Sequence, residues 1–193
     1  MARPKEFDRD EVLEKAMAVF WASGYEATSL QDLGEAMGIG RQSLYDTFRD
    51  KHTLFLEALR NYQRRSEEPL GRTFGEAVSP LAAIREFFRG VADEPLACKR
   101  RGCMMINATV ELLPRDEEVG RIATASQRSL EELFRCTLER ARRLGELSPD
   151  ANPGSLARYL AASLLGLRVT AKSNPSPTVL HDIVEQILKA LDR

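Results

Sequence analysis

Between its glycines and prolines the chain repeats apolar residues at intervals of three and four, and no stretch alternates apolar with polar positions. The pattern predicts an all-α fold of about nine helices. The first runs from about Asp10 to Ser23, with Val12, Ala16, Val19 and Phe20 on one side and Gly24 as its stop. A second opens at Ser29, where Ser29 and Asp32 form a capping-box-like start, and ends at Gly38. A third covers about Arg41 to Thr47, and a fourth starts near Asp50 and is expected to stop at Pro69. Five more follow: Ser79 to about Asp93, Gly102 to Leu113 with Pro114 as terminator, about Asp116 to Leu144, Asn152 to about Ala171, and Ser176 to about Leu191.

Residues 29–48, SLQDLGEAMGIGRQSLYDTF, have the spacing of a helix-turn-helix. Leu33, Met37, Ile39, Leu44 and Phe48 fall where two short helices must bury apolar groups, and Gly38 can take the positive φ of a tight turn. Outward, Gly40 opens a helix that displays Arg41, Gln42, Ser43 and Tyr45, donors and acceptors of the kind that read base edges. Thr28 and Ser29 at one helix start, and Lys51 with His52 at another, stand where free N–H groups favour phosphate. For each residue alone, an ordinary cap or a solvated side chain is the alternative.

Residues 24–59 as a whole resemble the signature of the TetR family of transcriptional regulators. The matching positions are Gly24, Tyr25, Thr28, Ser29, Leu33, Met37, Gly38, Ser43, Leu44, Tyr45, Phe48, Lys51 and Leu54. The sequence departs at Gly34, where the family usually has alanine, and at Ile39, where it has valine. The resemblance implies a homodimer whose third helices enter successive major grooves of double-stranded operator DNA. Tyr45 and Lys51 would then lie on phosphates, with Arg41, Gln42 and Ser43 nearest the bases. Twofold symmetry asks for a palindromic operator with half-sites about 34–36 Å apart, or farther if two dimers bind. The DNA-binding domain is expected over 1–49, the linking helix extending it to about 60, and an effector-binding and dimerisation domain over 50–193.

In the last helix Leu180, Ile183, Ile187 and Leu191 belong to a wide apolar stripe, and the helix before it, with Leu160, Leu164 and Leu167, is apolar on most sides. A helix with two buried sides suggests a subunit partner, and these seven residues are the expected dimer face. Phe87, Phe88, Met104 and Phe134, with Asn107 and Glu111 as polar groups, are candidates for an effector pocket, core packing being the alternative for each. Cys103 joins them because Lys99, Arg100 and Arg101 precede it and a helix follows, both of which lower a thiol pKa; a buried inert thiol is the alternative.

Composition narrows the classes. With 43% hydrophobic and 30% charged residues, the 193-residue chain has the balance of a soluble globular protein. Its net charge of −1 neither supports nor opposes nucleic-acid binding, so the motif carries that reading. The start MARPKEFDRDE lacks the apolar core of a signal peptide and no apolar run spans a membrane, so a cytoplasmic protein is expected. Cys98, Cys103 and Cys136 form no CxxC pair and stand far in sequence from His52 and His181, which argues against zinc. No HExxH, GxSxG or glycine-rich phosphate loop is present, so neither an enzyme nor a cofactor is expected. The function expected is a sequence-specific repressor released from its operator by a small-molecule or thiol-reactive effector. The rival is an architectural or protein-regulated DNA-binding factor without an effector, which a solidly packed C-terminal domain would favour.

Overall fold

A computed structural model of the chain describes residues 7–94, 96–113, 115–173 and 176–192. Every α-helix or 3-10 turn among them belongs to the order α1 (Arg9–Ser23), α2 (Leu30–Met37), α3 (Arg41–Phe48), α4 (Lys51–Glu76), α5 (Pro80–Asp93), α6 (Leu96–Arg101), α7 (Met104–Leu112), α8 (Glu117–Arg143), α9 (Pro153–Lys172) and α10 (Pro177–Leu188), closed by a 3-10 turn over Lys189–Leu191. These are the nine expected helices plus the six-residue α6. The expected terminator Pro114 lies outside the described residues.

Local chemistry accounts for most boundaries. Asp8 caps α1 by accepting from the amides of Asp10 and Glu11. Ser79 and Asn152 cap α5 and α9, each followed by a proline in the first turn, where its missing N–H costs nothing. Gly38 ends α2 in the left-handed conformation at φ 70°. The expected stop at Pro69 is corrected: α4 runs through it to Glu76. Proline forfeits a helical hydrogen bond there, but Phe74 beyond it is 1% exposed. The guanidinium of Arg140 also donates to the carbonyls of Phe74 at 2.8 Å, Gly75 at 2.7 Å and Ala77, caring for acceptors that the helix end leaves open.

The described residues fall into two compact units, one within 1–65 and 104–123, the other within 66–103 and 124–193. This division differs from the sequence boundary at 49 and 50, because the first half of α4, all of α7 and the start of α8 belong with the helix-turn-helix. In the first unit the buried residues include Phe20 of α1, Leu33 and Met37 of α2, Leu44 and Phe48 of α3, Leu54 and Phe55 of α4, and Met104 and Leu112 of α7. Ion pairs from Arg9 to Glu57, at 2.5 Å, and from Arg65 to Glu14 tie α1 to α4. The second unit is organised by one apolar cluster drawn from the end of α4 and from α5, α8, α9 and α10, with Phe74, Phe88 and Phe134 at 0–1% exposure.

A candidate DNA-binding face

The face begins with two short helices. Ser29 closes the expected capping box of α2: its hydroxyl accepts from the Asp32 amide at 3.1 Å, and Asp32 accepts from the Ser29 amide at 2.8 Å and hydroxyl at 2.7 Å. These bonds hold the Asp32 carboxyl below its usual range, the Ser29 hydroxyl contributing most. On α3, Leu44 and Phe48 are buried while Arg41, Gln42, Tyr45 and Asp46 are exposed and Ser43 is partly so. Gly40 is the N-cap and offers no side chain, so α3 begins with bare amides. The Arg41 guanidinium lies 5.8 Å from the centre of the Tyr45 ring, and Gln42 donates to Asp46 at 2.9 Å.

Between α3 and α4 stands an unusual residue. Arg49 has φ 69° and ψ −57°, and the Asp50 amide donates across it to the Phe48 carbonyl at 2.8 Å. That is a γ-turn with positive φ, which an L side chain adopts at a cost. Asp50 then caps α4 by accepting from the Thr53 amide at 2.6 Å, and that bond is the main reason its carboxyl sits below its usual range. The sequence reading placed a helix start near Asp50 but did not see this role.

Two expected phosphate contacts are corrected. Thr28 is 2% exposed and donates its hydroxyl to the Gly24 carbonyl at 2.6 Å, so the side chain is spent on the α1–α2 loop. His52 Nε2 lies 2.7 Å from Asp116 Oδ2, and Nδ1 lies 4.0 Å from Glu118 Oε2. Carboxylates flank the ring on both sides and would repel a phosphate. Burial works to raise the Asp116 carboxyl, yet the amides of Val119 and Glu118 and the His52 ring outweigh it and leave the group below its usual range. Lys51 fits its expected place better: it is the first residue of α4, and its Nζ stands 4.3 Å from the centre of the Tyr25 ring.

Tyr25 packs in turn on Phe55 at 4.9 Å between centroids and on Phe20 at 6.3 Å, and its hydroxyl is pushed up, chiefly by burial and then by Glu26, Asp50 and Asp116. Glu111 of α7, expected among the pocket residues, instead accepts from the Tyr25 amide at 3.0 Å and the Glu26 amide at 2.8 Å. Gly24 makes room for it: its φ is 83°, and a Cβ there would lie 2.9 Å from Glu111 Oε2. Sequence reasoning missed these partners because they lie 85 and 86 residues apart.

The other pocket candidates divide between the units. Met104 and Asn107 fall in the first, with Met104 buried, whereas Phe87, Phe88, Cys103 and Phe134 fall in the second. Phe88 and Phe134 are fully buried, and the rings of Phe74, Phe87, Phe88 and Phe134 lie 5.6–6.2 Å apart, so the phenylalanines take the core alternative. Cys103 is half-buried, with α6 and its Lys99, Arg100 and Arg101 just before it and α7 just after.

The expected dimer face is corrected too. Leu160, Leu164, Leu167, Leu180, Ile187 and Leu191 are at most 7% exposed and belong to the apolar cluster of a single protomer, with Ile183 packed against it. What α9 leaves outside is a different stripe, Tyr159, Ala162, Gly166 and Val169, and α10 exposes Val179. Tyr159 is 44% exposed and Val169 54%, and a side chain placed on Gly166 would meet nothing. Beside Tyr159 a groove of about 530 Å³ runs between Asn152 and Leu156 on one side and Gln186 and Lys189 on the other.

Comparison with known proteins settles the family. The family described as bacterial regulatory proteins, tetR family, matches residues 12–58, and the tetracyclin repressor-like C-terminal domain matches residues 77–187. The chain is 39% identical over the whole of both chains to the uncharacterized HTH-type transcriptional regulator YezE of Bacillus subtilis (strain 168). It is 32% identical to the HTH-type transcriptional repressor ComR of Escherichia coli (strain K12), over 97% of this chain and 90% of that one. Among solved structures, a cysteine mutant of the TetR family regulator CifR complexed with 26-bp double-strand operator DNA is 34% identical, covers 98% of this chain and 100% of its own, and superposes with a TM-score of 0.84. The relatives are transcriptional regulators and not enzymes. The chain belongs to the TetR family of DNA-binding transcriptional regulators.

Proposed function

We propose that the chain is a cytoplasmic repressor that binds a palindromic operator as a homodimer and is released by a small-molecule or thiol-reactive effector. The observation that carries operator binding is α3, where Leu44 and Phe48 anchor a helix whose Arg41, Gln42, Ser43 and Tyr45 face outward. CifR, which resembles it over nearly all its length, is complexed with operator DNA. Residues 1–49 would carry DNA recognition and the remainder effector sensing and dimerisation, even though the packing units divide elsewhere. In the contact set, Arg41, Gln42 and Ser43 read bases, whereas Tyr45, Lys51 and the amides at the start of α2 hold phosphates.

Dimerisation is assigned to the outer stripe of α9 and α10, whose Ala162 and Gly166 let two helices approach closely and whose Tyr159, Val169 and Val179 supply apolar area. Cys103 is the thiol placed to report an electrophile, since it directly precedes α7. A second reading has no effector at all, and the phenylalanine cluster of the second unit favours it, because rings in mutual contact fill space that a ligand would need. Selection of duplexes from a random pool by the purified chain tests the first reading: enrichment of a palindrome is expected, and recovery of unrelated sequences at equal affinity would overturn it. Release of that palindrome by an electrophile such as N-ethylmaleimide, lost in Cys103→Ser, separates the effector reading from its rival.

A further inference from the structure

We infer that Glu111 is a positioning residue for DNA binding: from α7 it holds the loop that places Lys51. The inference rests on the reading of Lys51 as a phosphate contact. Three observations within the first unit converge on it. The Glu111 carboxylate accepts both backbone amides just past the end of α1, those of Tyr25 and Glu26, which no helix satisfies. Tyr25, so held, presents its ring to the Lys51 ammonium at 4.3 Å and fixes the end of a long, otherwise mobile side chain. Asp116, five residues beyond Glu111, grips the next residue of α4 through His52, while its other oxygen accepts from the amides of Glu118 and Val119. Two carboxylates from one short segment therefore hold both sides of the Lys51 position, the loop beneath it and the helix turn that bears it.

The glycine before the loop fits this role. At Gly24 any side chain would strain the backbone and meet the carboxylate, so loop and Glu111 are shaped to each other. A shift of α7 by even an ångström would lengthen two charge-assisted hydrogen bonds and free the Tyr25 ring to turn away from Lys51.

The test uses the full-length chain and a duplex that the wild-type chain has selected from a random pool. Amide exchange is read at Tyr25 and Glu26, and affinity is read across salt concentrations. Glu111→Ala is expected to expose both amides, weaken binding on the order of tenfold, and reduce the slope of log affinity against log salt by about 0.9 for each lost phosphate contact. Mere destabilisation lowers the active fraction but leaves that slope alone. Glu111→Gln, which keeps one acceptor, should fall between, and it serves in place of the alanine variant if that fails to fold. In a Lys51→Ala background Glu111→Ala should remove no further slope. Amides as protected as in wild type, an unchanged slope, or an additive slope loss in the double variant would each overturn the proposal. Failure of the wild-type chain to enrich any duplex would instead sink the operator reading, and the amide exchange would still report whether the clamp exists.

Discussion

A glutamate placed at Ile187 and one placed at Val169 should have opposite effects, although both positions lie on the last two helices. Ile187 is 5% exposed inside the apolar cluster of its own protomer. Losing the burial of that apolar side chain costs about 1.5–3 kcal/mol. Taking a carboxylate out of water, or protonating it there, adds several more. Domains of this kind have a total stability of about 5–15 kcal/mol, so Ile187→Glu should be mostly unfolded or insoluble. Val169 is 54% exposed, and a substitution there disturbs the protomer by only about 0.5 kcal/mol. In a twofold dimer, however, the same position meets the partner's copy of the face, so each charge enters an apolar contact that symmetry repeats. Val169→Glu should therefore melt close to wild type at low concentration yet sediment as a monomer. Sedimentation velocity across protein concentrations, paired with thermal melts, reads both. A Val169→Glu chain that stays dimeric, or one that unfolds as Ile187→Glu does, would refute the assignment of this stripe.

Arg140→Met, which keeps the stem but loses the donors to the Phe74, Gly75 and Ala77 carbonyls, should lower the midpoint of thermal unfolding by several degrees, about 2 kcal/mol in all; a shift under a degree would show the contacts to be dispensable. On operator and scrambled DNA, Lys51→Ala should weaken both alike, whereas Arg41→Ala should lose about 1–3 kcal/mol of preference for the operator, and equal losses on both DNAs would make Arg41 a phosphate contact. The Cys136 thiol is pushed up by burial and by the Glu132 carboxylate, so iodoacetamide should label it more slowly in the folded chain than in urea, and faster labelling would contradict that setting. Asp116 is held below its ordinary 3.8, so its stabilisation is complete above that value and fades as the pH drops through the lowered one. The urea midpoint should accordingly fall less between about pH 5 and pH 3 in Asp116→Asn than in wild type, and parallel falls would remove the group from the account.

The helix-turn-helix was legible in the sequence because its information is local: the Ser29–Asp32 cap, the Gly38 turn and the spacing from Leu33 to Phe48 all fall within 20 residues. Helix α6 escaped, since six residues hold too few turns to show a period. Pro69 misled because tertiary burial of Phe74 and the Arg140 contacts outweighed a local breaker. On α9, apolarity nearly all round gave no means of telling core from surface: Leu160, Leu164 and Leu167 went inward together with Ala157 and Ala161, while Tyr159, Ala162, Gly166 and Val169 stayed out. Glu111, His52 and Thr28 were misplaced for a common reason. Each is engaged by a partner whose position depends on the fold, or by a backbone carbonyl that only the folded loop presents.

The γ-turn at Arg49 also bears on the order in which the head is built. A non-glycine residue in such a turn costs on the order of 1–3 kcal/mol, and an isolated helix as short as α3 does not hold itself in water. Neither can form first and wait. The turn becomes worthwhile only once Leu44 and Phe48 are buried, so α3 and the turn that ends it depend on the packing of the rest of the first unit and are held only as long as that packing lasts.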